Sequence, residues 1–215
     1  MPILTRNGKS DMVNVPPYAA SLNWYGCWYG FRMKGLPDNE AIAEANRRCK
    51  ISGKAFARTY VGNAEAPLVL SVAVDGGASR LKRKGTEEWV KLSLHGNWPH
   101  THLGGLEALY GRCPYYQHII PGLREVYMDL PATLRDFNLS VHRWLASFLQ
   151  TDFQFLHPES EQAVMDSVLM HKILRRGEEI ASMLSKELSV IDALMRFGPE
   201  TNLVLLGHTS LSFSI

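Results

Sequence analysis

The feature that most constrains the fold of this chain is a pair of segments with the residue pattern of β-strands, separated by a sequence typical of a turn. Residues 56–61 and 68–74 are both rich in β-branched and aromatic residues, and residues 62–67 between them include a glycine and a proline. This arrangement is typical of a β-hairpin. Residues 89–94 then alternate apolar with polar side chains, which predicts a third strand with one face toward solvent. We therefore expect a small, mostly antiparallel sheet.

Helical periodicity dominates the second half of the chain. Apolar residues recur at helical spacing within residues 103–110 and again within 137–148, which predicts two amphipathic helices. Residues 159–189 predict one long helix, or a helix broken at Gly177. Two short apolar runs within residues 203–213 predict a returning pair of strands.

The N-terminal region is unusually aromatic. Residues 18–31 hold six large aromatic side chains, and their spacing indicates a helix within residues 18–36. Two interpretations stay open for these rings, which either pack in the core or form a platform on which a sugar or nucleotide ring stacks. Just before them, Val13 and Val15 predict a short edge strand that ends at the two prolines that follow.

Strand patterns come first and helical patterns later, and this order predicts an α+β fold. We expect the small sheet of the N-terminal half to be packed by helices of the C-terminal half. The length of 215 residues fits a single domain. An apolar fraction of 46% with 20% charged residues is ordinary for a globular protein, which excludes a disordered or fibrous chain.

Charge and hydropathy argue against two classes of partner. The 23 Lys and Arg residues against 21 Asp and Glu residues leave a net charge of +2, too little for nucleic-acid binding without a concentrated basic face. The basic run at residues 80–84 is either a solvated turn or a site for anionic phosphates. No apolar run reaches the roughly 18–20 residues that a membrane span needs, and the N-terminus lacks a signal-peptide pattern. We expect a cytoplasmic protein without a nucleic-acid partner or a membrane span.

Three cysteines, Cys27, Cys49 and Cys113, are present, and none belongs to a CxxC motif. An odd number without metal-site spacing predicts free thiols rather than a disulfide framework or a zinc site. Cys113 follows Arg112 and lies near histidines in sequence, a neighbourhood that can lower the pKa of a thiol. A role as nucleophile and a role as a small apolar side chain are both open for Cys113.

A histidine-rich segment contains the candidate site. His95, His100, His102 and His118 fall within 24 residues, where a predicted strand gives way to a predicted helix. Loops at such junctions often carry reactive groups, and histidine titrates near neutral pH. Three interpretations are open: a metal site that uses His100 and His102, a general base at His102 or His95, and histidines that make only structural hydrogen bonds.

Several familiar motifs are missing from the sequence. It contains no phosphate-binding P-loop, dinucleotide-binding GxGxxG, hydrolase GxSxG or zincin HExxH motif. The corresponding enzyme classes therefore lose their main support. Because no carboxylate or cysteine supplies a third ligand near His100 and His102, we expect a metal-independent site and no other cofactor.

Four segments together resemble the WbqC family of bacterial proteins. They are, in order, RTYV at 58–61, PLVLSVAV at 67–74, HGNWPHTH at 95–102 and LEALYGRCPYY at 106–116. The region that resembles this family covers residues of about 14–150. The remaining residues, about 151–215, are predicted to form a helical C-terminal extension. The resemblance implies a cytoplasmic role in the biosynthesis of bacterial surface polysaccharide, including O-antigen.

That implied pathway and the histidine-rich segment together favour a transferase that acylates or aminoacylates an amino-sugar nucleotide. Such a reaction needs one base for an ammonium proton and donors that stabilise an oxyanion. We assign His102 as the base, with Asn97 and Arg112 as the donors. The predicted substrate-binding residues are Arg58, His95, Trp98, Tyr110 and Tyr115. The expected partners are a nucleotide sugar or another small-molecule substrate, with an acyl-carrier protein as a candidate acyl donor.

The alternative is a noncatalytic binding or assembly module. In that case the aromatic segment at residues 18–31 and the C-terminal helices would hold other proteins of the polysaccharide pathway. The two functions predict different surfaces. A concave pocket that gathers His102, Asn97 and Arg112 favours the enzyme, and a flat apolar patch favours the assembly module.

Overall fold

The computed structural model describes residues 14–51, 53–77, 90–149, 175–179 and 182–212, with only the backbone of 209–212. Within these ranges the fold is α+β, as predicted, with seven α-helices and one two-stranded antiparallel sheet. The helices are α1 (Leu22–Met33), α2 (Asp38–Arg48), α3 (Trp98–Tyr110), α4 (Tyr116–Met128), α5 (Leu134–Phe148), α6 (Val190–Phe197) and α7 (Thr201–Ser212). The strands are β1 (Arg58–Gly62) and β2 (Pro67–Ser71). Residues 175–179 are also helical, and Gly53–Phe56 and Gly198–Glu200 are short 3-10 segments.

The predicted hairpin is confirmed. β1 pairs with β2 in antiparallel register, from Arg58 opposite Ser71 to Gly62 opposite Pro67. Side chains of β1 alternate between exposed and buried, because one face of the hairpin packs on the protein and the other faces solvent. The hairpin therefore has an Arg58–Ser71 end and a Gly62–Pro67 end; α3 contacts both ends, through His102 and Tyr110, and α6 contacts the Gly62–Pro67 end.

The predicted third strand is wrong for the part of residues 89–94 that the structure describes. Residues 90–94 make isolated bridges, one to the segment after β2 and one to the turn before α5. The segment divides its backbone hydrogen bonds between these neighbours, since Ser93 N donates to the carbonyl of Ala73 and Leu92 N donates to that of Ala132. The alternation of apolar and polar side chains in this segment therefore does not require a continuous ladder of strand-to-strand hydrogen bonds.

The predicted aromatic helix is confirmed as α1. Ser21 caps it, with its hydroxyl oxygen 3.3 Å from the amide nitrogen of Trp24. Six aromatic side chains of this region lie in or against the core, which favours the packing interpretation. The predicted edge strand before the prolines does not form at Val15, which is buried in an irregular segment, and Val13 lies outside the described residues.

The predicted C-terminal strand pair is wrong, because residues 203–206 belong to helix α7. A short continuous apolar run fits a buried helix as well as a strand, and packing against α1 decides between them. The two helices approach closely, since a Cβ at Gly26 would lie 3.0 Å from the Cβ of His208. Glycine therefore permits this helix contact.

The predicted helix over residues 159–189 is only partly described. Residues 175–179 are helical, but residues 182–188 form turns, so the helix does not continue to Leu188. Residues 159–174 and 180–181 lie outside the described part. Gly177 was predicted to break this helix. In the structure it allows a close backbone contact with α7 instead, because a Cβ at Gly177 would lie 2.3 Å from the carbonyl oxygen of Leu203.

The core gathers around α1, which packs against α2 on one side and α7 on another. Buried aromatic and aliphatic side chains of α3, α4, α5 and α6 complete it. Among the described helices, none combines the length and the apolar character that crossing a membrane requires.

Candidate functional site

The histidine-rich segment reverses direction just before α3. Gly96 and Asn97 both have left-handed backbone conformations, with φ of +85° and +46°. Trp98 and Pro99 then begin the helix. This turn leaves His95 exposed beside the hairpin and carries His102 into the protein interior.

His102 lies in a buried hydrogen-bond network and is only 4% exposed. Its Nε2 donates to the carbonyl oxygen of Ser71 at 3.1 Å, because a carbonyl can only accept. In the neutral ring Nδ1 is then the acceptor, and it lies 3.0 Å from the hydroxyl of Tyr18 and 3.1 Å from that of Tyr127. Burial lowers the pKa of His102 to about 4, so the ring is neutral at pH 7. Both ring nitrogens are therefore occupied.

Trp98 supports the same network. Its ring lies edge-on to His102, with the ring centroids 5.1 Å apart, and its Nε1 donates to the carbonyl of Ser93 at 2.8 Å. Trp98 is buried, so its ring packs in the core at the N-terminal end of α3.

Asn97 and Arg112 lie at opposite ends of α3. Asn97 immediately precedes the first residue of the helix and Arg112 lies two residues after the last, which separates them by roughly 20 Å along the axis. His102 lies between them and faces the core. The structure thus does not bring the three predicted catalytic residues to one wall, and their catalytic assignment stays a prediction.

Tyr110 and Tyr115 belong to the region around α6. The Tyr110 hydroxyl donates to the carboxylate of Asp192 and accepts from the Gly62 amide, at an N···O distance of 2.9 Å. Tyr115 is half-buried and packs so closely on Gly198 that a Cβ there would lie 2.4 Å from the ring. Neither ring lies near Trp98 in the described contacts, so the structure does not bring these three predicted substrate-binding residues together.

Asp192 is a buried carboxylate that the sequence predictions missed. Its Oδ1 accepts from the Gly62 amide at 3.0 Å, and its Oδ2 has no hydrogen-bond partner among the described residues. Burial raises the pKa of Asp192 to about 6. A local signal exists, because Ser189 caps α6 and Asp192 occupies the third helical position, as in a capping box.

A basic pocket lies beside the Arg58–Ser71 end of the hairpin. It has a volume of about 330 Å³. Its lining residues are Lys54, Ala57, Arg58, Ser71, Val72, Ala73, Val74, Gly77, Ser93 and His95. None of these is acidic, and Lys54, Arg58 and His95 are all exposed. We call this cavity the basic pocket. The structure thus brings together two predicted substrate-binding residues, Arg58 and His95, and adds Lys54, which the sequence predictions missed.

His102 is connected to the basic pocket through the backbone. Ser71 lines the pocket, and its carbonyl accepts the hydrogen bond from His102. The same Ser71 pairs with Arg58 across the hairpin. His102 therefore fixes the wall that carries Arg58, although the described contacts do not place its ring in the pocket.

A larger cavity of about 620 Å³ lies at the other end of the hairpin. Apolar side chains dominate its lining, with Arg196 as the basic residue. The lining residues are Gly62, Asn63, Ala64, Leu109, Tyr110, Met183, Leu184, Ser185, Leu188, Arg196 and Phe197. Of the predicted site residues, Tyr110 borders this cavity.

In the described part of the chain, no three His, Cys, Asp or Glu side chains are grouped so that they could hold a metal ion. The paired histidines of the metal interpretation differ in position, because His100 is exposed whereas His102 is buried with both nitrogens bonded. Neutral hydrogen bonding therefore describes His102 better than metal ligation does.

Comparison with known proteins gives one positive result. The sequence model of the WbqC-like protein family matches residues 51–176, which is 126 of the 215 residues. This range includes the hairpin, the histidine-rich segment and α3 to α5. No curated protein and no solved structure matches the chain.

Proposed function

The chain belongs to the WbqC-like protein family, and from this membership we propose that it is a transferase of bacterial surface-polysaccharide biosynthesis. In this proposal the basic pocket binds a nucleotide sugar through its phosphates. The carrying observation is that Lys54, Arg58 and His95 surround one concave pocket whose described lining holds no acidic residue. Anionic groups are the ligands that such a lining attracts.

Arg58 and Lys54 give complementary contacts to a phosphate. A guanidinium can donate two parallel hydrogen bonds to one phosphate, and an ammonium acts as a point charge. Neither side chain has an ion pair with a described residue, so both cations are available to a ligand. A pocket of about 330 Å³ is at the lower end of the usual range for small-molecule sites, which suits the diphosphate and the ring next to it, with the rest of the nucleotide sugar outside the pocket.

The proposed reaction transfers an acyl or aminoacyl group to the amine of the bound sugar. His95 accepts the proton from the sugar ammonium, and the free amine attacks the donor carbonyl. His95 then returns the proton to the leaving group, which is a thiolate when an acyl-carrier protein is the donor. We favour His95 over His102 in this role because His95 is exposed in the pocket, whereas His102 is buried.

Binding of UDP tests the proposal, with uridine as the probe that lacks phosphates. We expect UDP to bind to the protein in calorimetric titration and uridine to bind at least about tenfold more weakly. The Arg58→Gln variant should lose about tenfold or more in UDP affinity, because a charge-assisted hydrogen bond to phosphate is lost. Its melting temperature without ligand should stay close to that of the wild type, since Arg58 is exposed.

Arg143→Gln is the matched control, because Arg143 is exposed on α5 and is not among the residues that line the basic pocket. This variant should bind UDP as the wild type does. Equal affinity for UDP and uridine would contradict the proposal, as would an equal loss in the two arginine variants.

A further inference from the structure

Two cysteines that lie far apart in sequence meet between α1 and α2. Cys27 lies in the middle of α1 and Cys49 caps the C-terminal end of α2. Their sulfur atoms are 3.7 Å apart. Cys27 is only 2% exposed, whereas Cys49 is half-buried and lines a cavity of about 200 Å³. The pair therefore has one buried sulfur and one that a small molecule can reach.

The surroundings make this pair more reactive than two isolated thiols. The thiol of Cys49 donates to the sulfur of Cys27, and this bond lowers the pKa of Cys27 to about 7. The guanidinium of Arg48 favours the same thiolate. The shared bond raises the pKa of Cys49 in turn. At neutral pH the pair thus contains a substantial thiolate fraction, which is the nucleophilic form.

The geometry allows the two sulfur atoms to be joined by a small movement. A disulfide needs an S–S distance of about 2.05 Å, so the sulfur atoms must approach by roughly 1.7 Å. Cys49 stands at the end of α2, and Lys50 after it already has a left-handed conformation with φ of +50°. The movement therefore falls on a helix end and leaves the middle of α1 in place.

We propose that Cys27 and Cys49 form a redox-reactive modification site that closes to a disulfide in the presence of a peroxide. As the sulfur of Cys49 attacks one oxygen of hydrogen peroxide, its proton passes along the shared hydrogen bond to the thiolate of Cys27. The O–O bond breaks to give a sulfenic acid on Cys49 and a hydroxide, which takes a solvent proton and becomes one water. The sulfur of Cys27 then attacks the Cys49 sulfur, and the S–O bond breaks. The hydroxide that leaves takes the thiol proton and becomes a second water. The two thiols lose two electrons, and the peroxide gains them.

This site is adjacent to the proposed transferase site: neither sulfur lines the basic pocket, but Arg58 lines both that pocket and the cavity beside Cys49. The disulfide would fasten α1 to the end of α2. Cys113 provides an internal reference, since it is half-buried at the turn between α3 and α4 and has no thiol neighbour among the described residues.

Thiol counting with peptide mass spectrometry tests the proposal on the folded protein. After stoichiometric hydrogen peroxide, we expect the wild type to lose two of its three alkylatable thiols, and dithiothreitol should restore both. A digest without reductant should contain a peptide in which Cys27 is bridged to Cys49. The bridge should form at least about tenfold faster in the folded protein than in denaturant, where only the chain between the cysteines holds them near each other.

Variants separate this pair from nonspecific oxidation. Cys113→Ser should form the same bridge at the same rate. Cys27→Ser should form none, and Cys49 should instead accumulate as a sulfenic acid that dimedone traps; Cys27→Ala serves the same purpose if the serine destabilises the core. Bridges to Cys113 at equal yield would overturn the proposal, and so would oxidation of the wild type to sulfinic acid without a bridge.

Discussion

The two ends of the hairpin are held by buried titratable side chains of opposite character. At the Arg58–Ser71 end, the neutral imidazole of His102 donates to the carbonyl of Ser71. At the Gly62–Pro67 end, the carboxylate of Asp192 accepts from the amide of Gly62. Burial shifts both pKa values toward the uncharged form, downward for the histidine and upward for the carboxylate. Each side chain therefore supports backbone, and neither needs solvent access for that task.

The ends differ in what lies beyond the buried side chain. Past Ser71 the surface opens into the basic pocket, with exposed cations that have no acidic neighbour in the described lining. Past Gly62 lies a larger and mainly apolar cavity. His102 holds the strand end through the Ser71 carbonyl. In the proposed function, the exposed Arg58 contacts the ligand. The proposed function therefore assigns ligand recognition to the Arg58–Ser71 end.

The largest expected effect is a pH dependence of the free energy of unfolding that an exposed histidine would not cause and that His102 should cause. The folded-state pKa of His102 is about 4 and the unfolded value is near 6.5, so below pH 6.5 the unfolded chain binds a proton that the folded chain does not. The wild type should lose roughly 3 kcal/mol of stability through this group between pH 6.5 and 4. His102→Gln keeps a donor and an acceptor but cannot titrate, so its stability relative to the wild type should rise as pH falls. Urea denaturation at several pH values measures this difference.

His118→Gln is the control for the histidine prediction, because His118 is exposed on α4. Its stability relative to the wild type should change little across the same pH range. A difference between wild type and His102→Gln that does not depend on pH would show that the ring is not held neutral in the folded protein.

A slightly smaller effect of opposite sign is expected at the other end. The folded-state pKa of Asp192 is about 6 against an unfolded value near 3.8, so between these values the folded chain binds the extra proton. The wild type should gain roughly 2–3 kcal/mol through this group as pH falls from about 6 to 4. Asp192→Asn lacks this gain, so its stability relative to the wild type should fall on acidification.

Asp129→Asn, at an exposed carboxylate after α4, should show no such change. The same urea series measures both aspartate variants. If Asp192→Asn and His102→Gln shifted in the same direction with pH, the proposed contrast between the two ends would be wrong.

Local patterns in the sequence were enough for some elements of the fold. The hairpin and helices α1, α3 and α5 follow from residue types and periodicity that hold within each segment. Helix α4 was not among the predicted helices. It contains Pro121, which lacks a backbone N–H donor, and the helix accommodates this proline. The third strand and the C-terminal strands were wrongly predicted because their backbone partners depend on segments distant in sequence.

The candidate site could likewise be predicted from the sequence only in part. Sequence could indicate that residues 95–102 matter, since histidines cluster there, but not which ring faces the core. Burial of His102 depends on Tyr18 and Tyr127, which come from other parts of the chain. Lys54 was missed because a single lysine carries no local signal, and only the folded hairpin brings it to the basic pocket with Arg58.

A UDP titration of ¹⁵N-labelled protein followed by NMR tests the central claim most directly, because it reports on both ends of the hairpin at once. The account predicts that amide shifts concentrate around Lys54, Arg58, Ser71 and His95, which line the basic pocket. Amides of Gly62, Arg196 and Phe197 at the other cavity should stay nearly unchanged. Shifts concentrated at those three residues, with none around Arg58, would contradict the account and place the ligand at the Gly62–Pro67 end.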